Sequence, residues 1–245
     1  MDIAGFFSGL NQSYGINLTL FYDAYDRDLF LQGIRYTAWL SVASIFGSLL
    51  VGAVGAYLQF TGGLWAQRLV GGYVQAFRNT PPLVQLYFFY FALGPAVSSL
   101  MPDAGPAVSN VTWAIVSLTL YAGAFNVEIF RSGIEAVPQS TIEAADSLGM
   151  NRGQIFRRVV LPLASRISLT GLNNNLINLI KTTTNAFAIA VPELLYASSQ
   201  IWSENLNAFE MMVVLLVFYM VVIGAFAWTM QRWERAVAVP GWGNA

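Results

Sequence analysis

The chain alternates long stretches without Asp, Glu, Lys or Arg with shorter charged connections. A helix needs roughly 20 apolar residues to cross a bilayer, and five charge-poor stretches reach that length. They are Thr37–Phe60, Asn79–Pro102, Ala104–Val127, Ile167–Pro192, in which Lys181 is the only charged residue, and Met211–Gln231. The pattern predicts an all-α membrane protein with five transmembrane helices. An odd number of spans places the two termini on opposite sides of the membrane.

Arginine is distributed unequally between the two sets of connections. One set comprises residues 59–79, residues 131–166 and the C-terminus. It holds nine of the twelve cations, namely Arg68, Arg78, Arg131, Arg152, Arg157, Arg158, Arg166, Arg232 and Arg235. The N-terminal arm and the remaining connections hold only Arg27 and Arg35. Because basic residues are enriched in cytoplasmic loops, we expect the N-terminus outside and the C-terminus in the cytoplasm.

The first residues differ in character from the rest of the chain. Met1-Asp2-Ile3-Ala4 has no basic stretch, so we expect no cleaved signal peptide. The mildly apolar segment Gly5–Tyr25 is interrupted by polar residues, which favours a position along the membrane interface over a sixth span. We assign 1–32 to an N-terminal periplasmic or interfacial arm, 33–235 to the transmembrane domain and 236–245 to a cytoplasmic tail.

Composition narrows the chemistry. Charged residues make up 10% of the chain, compared with about 25% in soluble domains. A net charge of −1 creates no attractive field for nucleic acid. The absence of Cys and His excludes disulfides, imidazole bases and ordinary zinc sites. The single lysine follows Ile180, which excludes a G-x-x-x-x-G-K-[ST] phosphate loop, so any ATP must be bound by another chain.

The connection between the third and fourth spans, residues 131–162, carries the strongest local signals. Ser140 and Glu143 have the spacing of a capping box, Gly149 has the position of a C′ glycine, and Asn151 with Gln154 opens a second helix. One apolar face of that helix comprises Ile155, Phe156, Val159, Val160 and Leu163. The sequence predicts a helix–turn–helix at the cytoplasmic membrane surface, with Ala144 and Ala145 as a shallow face for another protein.

This loop resembles the EAA loop of ABC importer permeases in Glu143-Ala144-Ala145, Gly149 and Leu161-Pro162. Other segments resemble the polar-amino-acid branch of that family, namely Phe77–Leu86, with its F-R-x-T-P-x-L-V-Q pattern, Tyr121–Arg131, Ile180–Thr183 and Val191–Leu194. The resemblance extends from about Gly33 to Arg235. It implies the transmembrane domain of a type I ABC importer, in which the loop is the coupling helix that docks into a groove of a cytoplasmic ATPase.

The resemblance also implies partners and site residues. ATPase coupling is expected through Glu143, Ala144, Ala145, Gly149 and Arg152. The expected partners are two ATPase subunits, which bind ATP and Mg²⁺, a second permease subunit, identical or related, and an extracytoplasmic amino-acid-binding protein. No cofactor is expected in this chain. Two alternatives stay open: Glu143 acts only as a helix cap, and Arg152, Arg157 and Arg158 contact lipid headgroups instead of the ATPase.

A polar stripe marks the fourth span. Asn174, Asn178, Lys181 and Asn185 step by four, three and four residues, so on a helix they share one face, with Thr182 beside it. A lysine near the membrane centre costs roughly 2.5–3.5 kcal/mol, so we expect the stripe to face protein or a water-filled substrate path. In the alternative, the asparagines hold helices together and Lys181 pairs with Glu128 or Glu210.

These features favour a non-catalytic permease subunit of an ATP-driven importer for polar amino acids, located in a bacterial cytoplasmic membrane and working by alternating access. Acidic or amide side chains are favoured because no carboxylate lies in the stripe to hold a cationic one. The alternative is a proton-coupled secondary transporter. Such transporters usually place Asp, Glu or His within their spans, and the charge-free stretches contain none.

Overall fold

The computed structural model describes residues 3–100 and 108–237, and within them the regular structure is helical. The α-helices are α1 (Ile3–Tyr14), α2 (Ala24–Thr61), α3 (Leu64–Arg78), α4 (Pro82–Tyr87), α5 (Gly94–Ser99), α6 (Asn110–Glu135), α7 (Gln139–Ser147), α8 (Arg152–Ile155), α9 (Leu161–Thr182), α10 (Leu194–Asn205) and α11 (Ala208–Val237). Two 3₁₀ segments, Thr19–Phe21 and Thr183–Ile189, and two π-helical segments, Phe88–Leu93 and Phe156–Val160, join some of them. The predicted all-α class is confirmed.

Within the described ranges, α2, α6 and α11 are long and apolar enough to cross a membrane. The second predicted span is instead composed of α4, a π-helical segment and α5. The fourth is composed of α9 and the 3₁₀ segment after it. Each π-helical segment ends shortly before a proline, Pro95 or Pro162. Because proline has no N–H to donate to the preceding turn, the helix changes from α-helical to π-helical hydrogen bonding just before it.

Helix α2 is longer than a membrane is thick. Its 38 residues extend about 57 Å at 1.5 Å per residue, compared with about 30 Å of hydrocarbon. It begins at Ala24, so the predicted boundary between arm and transmembrane domain at residue 33 falls inside a continuous helix. The predicted connection 59–79 contains helix α3, and the connection between the fourth and fifth predicted spans contains helix α10. Of the predicted tail, residues 238–245 lie outside the described residues.

The chain forms two compact units, and α2, α6, α9 and α11 each contribute to both. The first comprises Met1–Ala43, Pro82–Leu118 and Ile180–Ala225. One of its cores is the cluster of Phe30, Leu194, Ile201, Met211 and Leu215. The second comprises Ser44–Pro81, Thr119–Leu179 and Phe226–Ala245. It contains the cluster of Val137, Ala145, Ile155, Val160 and Ala164.

Small residues bring α2 and α6 close together within the second unit. Ser44, Ser48, Gly52 and Ala56, which recur every fourth residue, are all buried. A Cβ atom at Gly52 would lie 2.4 Å from the Cβ of Asn126. Small residues at this spacing let two membrane helices approach closely, and here they bring α2 against α6.

Candidate functional site

The 131–162 connection folds into a hairpin of α7 and α8, and Gly149 makes its turn. Gly149 has a φ of +77°, the left-handed conformation that glycine adopts without a steric penalty. Its N–H donates to the Asp146 carbonyl at 2.8 Å, and the Met150 N–H donates to the Ala145 carbonyl at 3.3 Å. These bonds satisfy carbonyls at the end of α7, as in a Schellman motif. The predicted C′ role of Gly149 is confirmed.

One of the two predicted helix starts in this loop is correct. Asn151 and Gln154 form a reciprocal capping box, with bonds of 3.0 Å to Asn151 Oδ1 and 2.9 Å to Gln154 Oε1. The predicted box of Ser140 with Glu143 is wrong. Pro138 is the N-cap residue of α7 and no side chain caps that end, so Ser140 already lies in the first turn.

The hairpin has an interior and an exposed tip. Ala145 and Ile155 are buried between its arms and the start of α9, with Phe156, Val159 and Leu163 partly buried beside them. Ala145 therefore supports the hairpin from inside and adds nothing to the exposed surface of the single chain. The exposed residues at the tip include Glu143, Ala144, Leu148, Gly149 and Arg152, together with Asp146 and Ser147. Leu148 is 82% exposed, and sequence reasoning did not single it out.

An ion-pair network lies where α6 enters the hairpin. Arg131 Nη2 lies 2.9 Å from Glu128 Oε2, and Arg131 Nη1 lies 2.7 Å from Glu135 Oε1. Arg78, the last residue of α3 and part of the Phe77–Leu86 segment, approaches Glu128 at 3.6 Å. Its guanidinium lies 5.4 Å from the Phe125 ring centroid. Two of the segments that carry the family resemblance therefore meet at this network.

The polar stripe lies on the exposed side of α9. Asn174, Asn178 and Lys181 are exposed, whereas Thr182 and Asn185 are half-buried. Asn185 departs from the predicted geometry, because α9 ends at Thr182 and Asn185 belongs to the 3₁₀ segment Thr183–Ile189. The shared face is therefore established for the three residues within α9.

The two asparagines beside Asn174 have different surroundings. The Asn173 amide donates to Glu234 Oε2 on α11 at 2.8 Å. The Asn175 amide donates to Asn126 Oδ1 at 2.8 Å and to the Ala122 carbonyl at 3.0 Å, both on α6. Successive helix residues point roughly 100° apart, so two of the three consecutive asparagines hold neighbouring helices and Asn174 faces outward. Sequence reasoning missed Asn173 and Asn175, although the run Asn173-Asn174-Asn175 was visible.

The two carboxylates considered as partners of Lys181 have other contacts. Glu128 pairs with Arg131 and Arg78, and Glu210 accepts the Asn17 backbone N–H at 3.1 Å. The ion pairs of the described residues join Arg78, Arg131, Glu128 and Glu135. Lys181 takes part in none of these pairs, so its ammonium is not neutralised by either predicted partner.

These features define an α-helical membrane transport subunit: it has long apolar helices, a capped hairpin between α6 and α9, and a polar stripe on α9. Residues 34–237 match the family described as the binding-protein-dependent transport system inner membrane component. The chain belongs to this family of ABC transporter permease subunits, whose members are transport components. The predicted family resemblance is confirmed.

Individual relatives agree with this assignment. The chain is 31% identical over 211 residues to the glutamine transport system permease protein GlnP of Escherichia coli (strain K12), covering 86% of this chain and 94% of that protein. It is 33% identical over 208 residues to the octopine transport system permease protein OccM of Rhizobium radiobacter, covering 83% of this chain and 84% of that protein.

Solved structures share the architecture. The crystal structure of an amino acid ABC transporter with histidines superimposes with a TM-score of 0.76 at 27% identity, over 86% of this chain and 94% of that one. The inward-facing MetNI methionine ABC transporter gives a TM-score of 0.71 at 23% identity, over 86% of this chain and 97% of that one. The fold is that of a type I ABC importer transmembrane domain.

Proposed function

We propose that the chain is the permease subunit of an ABC importer that carries polar amino acids into the cell, with amide or acidic side chains favoured. The observation that carries this proposal is the hairpin tip, where Glu143, Ala144 and Leu148 are exposed beside the Gly149 turn. The hairpin joins the end of α6 to the start of α9. An ATPase that grips the tip therefore pulls on both helices, and Arg152 adds a positive charge to the same surface.

The proposed substrate path follows Asn174, Asn178 and Lys181 on α9, continued by Thr182 and Asn185. Amides donate and accept hydrogen bonds, and an ammonium pairs with a carboxylate. This combination suits the α-carboxylate of an amino acid and an amide or carboxylate side chain, and no acidic residue lies in the stripe to favour a cationic side chain. The relatives named for glutamine and for octopine support a polar amino acid as cargo.

The proposed assembly contains a second permease subunit, two cytoplasmic ATPase subunits that bind ATP and Mg²⁺, and an extracytoplasmic binding protein. The arginine distribution supports an N-terminus outside and hairpin and C-terminus in the cytoplasm. Closure of the ATPase dimer on ATP would rock the hairpins, and with them α6 and α9. The path would open alternately to each side.

Reconstitution tests the proposal. The complex with its ATPase is placed in liposomes, and uptake of labelled glutamine is measured with the binding protein outside. We expect uptake to require ATP and the binding protein and to persist when an uncoupler removes the pH gradient. Uptake driven by the pH gradient without ATP would instead support a proton-coupled transporter. Substrate-stimulated ATP hydrolysis across the twenty amino acids then identifies the cargo.

A further inference from the structure

An open apolar groove runs along α11 in the first unit. Its volume is about 660 Å³, within the range of roughly 300–1,000 Å³ typical of small-molecule sites. One wall is the α11 face that includes Phe209, Val213, Val217 and Val222. The other wall is formed by residues 16–21 of the arm and by Phe30 of α2. Glu210 is the only charged residue in the lining.

One end of the groove is polar. The Asn17 N–H donates to Glu210 Oε1 at 3.1 Å, the Asn17 amide donates to the Asn205 carbonyl at 3.3 Å, and the Asn207 amide donates to the Asn17 carbonyl at 2.8 Å. These bonds attach the arm to the α10–α11 turn. Irregular backbone does not face hydrocarbon in a membrane protein, so this end lies at the membrane surface.

The other end of the groove lies in the hydrocarbon. From Phe209 to Val222 the α11 face extends about 20 Å at 1.5 Å per residue, whereas half of the hydrocarbon core measures about 15 Å. The groove thus descends from the headgroup level to about the middle of the bilayer. An extended acyl chain has this length and this apolar character.

The charge at the mouth selects the headgroup. Glu210 lines the groove itself. The flanking residues 22–30 and 204–210 add the exposed carboxylates Asp23, Asp28 and Glu204, against one exposed cation, Arg27, while Asp26 is buried and accepts a bond from Asn205. One oxygen of Glu210 accepts the Asn17 N–H, and the carboxylate stays half-buried at the mouth. A headgroup with a net negative charge is repelled here, whereas an ammonium group at Glu210 is attracted.

We propose that this groove binds one phospholipid with an ammonium headgroup, such as phosphatidylethanolamine, with an acyl chain along α11 and the ammonium at Glu210. Its location in the extracytoplasmic leaflet rests on the orientation given under the proposed function. The lipid wedges the arm against α11 and completes a surface that the chain alone leaves open.

Native mass spectrometry of the whole complex tests the site. The complex is reconstituted in nanodiscs with equal amounts of phosphatidylethanolamine and phosphatidylglycerol, and the lipids that it retains are identified. We expect retained phosphatidylethanolamine to exceed phosphatidylglycerol by about two- to fivefold, the range of one exposed ion pair. Glu210→Gln should remove the preference, and Val217→Trp, which fills the groove, should remove the retained lipid. Leu50→Trp, on an exposed face of α2 outside the groove, should change neither.

Three results would overturn the lipid site: equal retention of both lipids by the unaltered complex, full retention in Val217→Trp, or a disulfide between two permease chains carrying Val217→Cys. The last result would assign the groove to a contact between copies of the chain. Because the chain has no other cysteine, a disulfide between two permease chains can form only at the introduced Cys. Uptake is measured in parallel. A complex that transports normally but retains no ethanolamine lipid overturns this site and leaves the proposed function standing.

Discussion

The side-chain amide of Asn175 on α9 donates a hydrogen bond of 2.8 Å to Oδ1 of Asn126 on α6. Asn126 in turn donates to Ser48 Oγ on α2 at 3.1 Å, and the Ser48 hydroxyl donates to the Ile45 carbonyl. All three side chains are buried. The bonds join three helices and fix the rotation of α9, which turns Asn174 outward.

Removal of this amide should destabilise the protein. Asn175→Ala leaves Asn126 Oδ1 without its donor, and we expect a loss of about 1–2 kcal/mol in the free energy of unfolding. Thermal unfolding of the purified permease in detergent measures it. Asn174→Ala is the matched control, because the same residue type is exposed one position away. It should keep the unfolding temperature and reduce uptake. Equal destabilisation in both variants would contradict this account.

The hairpin turn should depend on backbone conformation alone. Apart from the two residues adjoining it in the chain, no residue has an atom within 4 Å of a Cβ added to Gly149, so the cost of a substitution comes from the positive φ. For Val this cost is roughly 1–2 kcal/mol, which corresponds to a 5- to 30-fold shift away from the native turn. We therefore expect Gly149→Val to lower ATP-dependent uptake by up to about that factor while membrane insertion is retained.

Gly149→Asn separates conformation from side-chain size. Asn adopts the left-handed region far more readily than a β-branched residue, so this variant should transport close to normally although its side chain is as large as that of Val. Uptake is compared at equal amounts of inserted protein. Normal uptake by Gly149→Val with its ATPase bound would show that the turn does not transmit coupling.

Local features were predictable from the sequence because their causes lie within a few residues. The Gly149 turn and the Asn151 capping box each involve contacts across at most five positions. The Ser140 box failed for an equally local reason, since Pro138 in an extended conformation starts α7 at Gln139. The charge-poor stretches predicted where the spans lie. They did not predict the π-helical segments before Pro95 and Pro162, because these depend on how the helix satisfies its backbone carbonyls.

Contacts between distant residues were not predictable in the same way. Helical spacing states which residues share a face, but not which face meets another helix. Asn173 bonds to Glu234, 61 residues away, and the Asn17 amide bonds to Asn205, 188 residues away. The helical spacing of four and three residues therefore identified Asn174, Asn178 and Lys181 but missed the flanking asparagines that position them.

The ammonium of Lys181 should matter for transport more than for assembly. Lys181→Met keeps a long unbranched side chain and removes the charge, so the substrate carboxylate loses one charge-assisted hydrogen bond. We expect uptake to fall roughly tenfold or more, with unchanged co-purification of the ATPase. Arg166→Met, an exposed cation on α9 outside the stripe, is the control. Unchanged uptake kinetics in Lys181→Met would remove the residue from the substrate path.

Glu193 gives the structure a defined pH dependence. Its carboxylate caps α10 by accepting the N–H groups of Leu195 and Tyr196 at 2.9 Å, and the side chain is fully buried. Burial raises the pKa of Glu193 from 4.5 to about 7, and the two backbone N–H groups lower it only in part. Between these two values the folded protein holds a proton that the unfolded chain releases.

The free energy of unfolding should therefore fall by up to about 3 kcal/mol as the pH rises from about 4.5 to about 7. Above that range it should stay at the lower value. Glu193→Gln keeps one acceptor for the cap and cannot ionise, so it should lose this part of the pH dependence. The measurement is thermal unfolding in detergent at pH 5 and pH 8. Glu204→Gln, an exposed carboxylate on the same helix, should behave like the unaltered protein. If Glu193→Gln instead retains the full pH dependence, the buried carboxylate is not its source and another titrating group of the fold must be responsible.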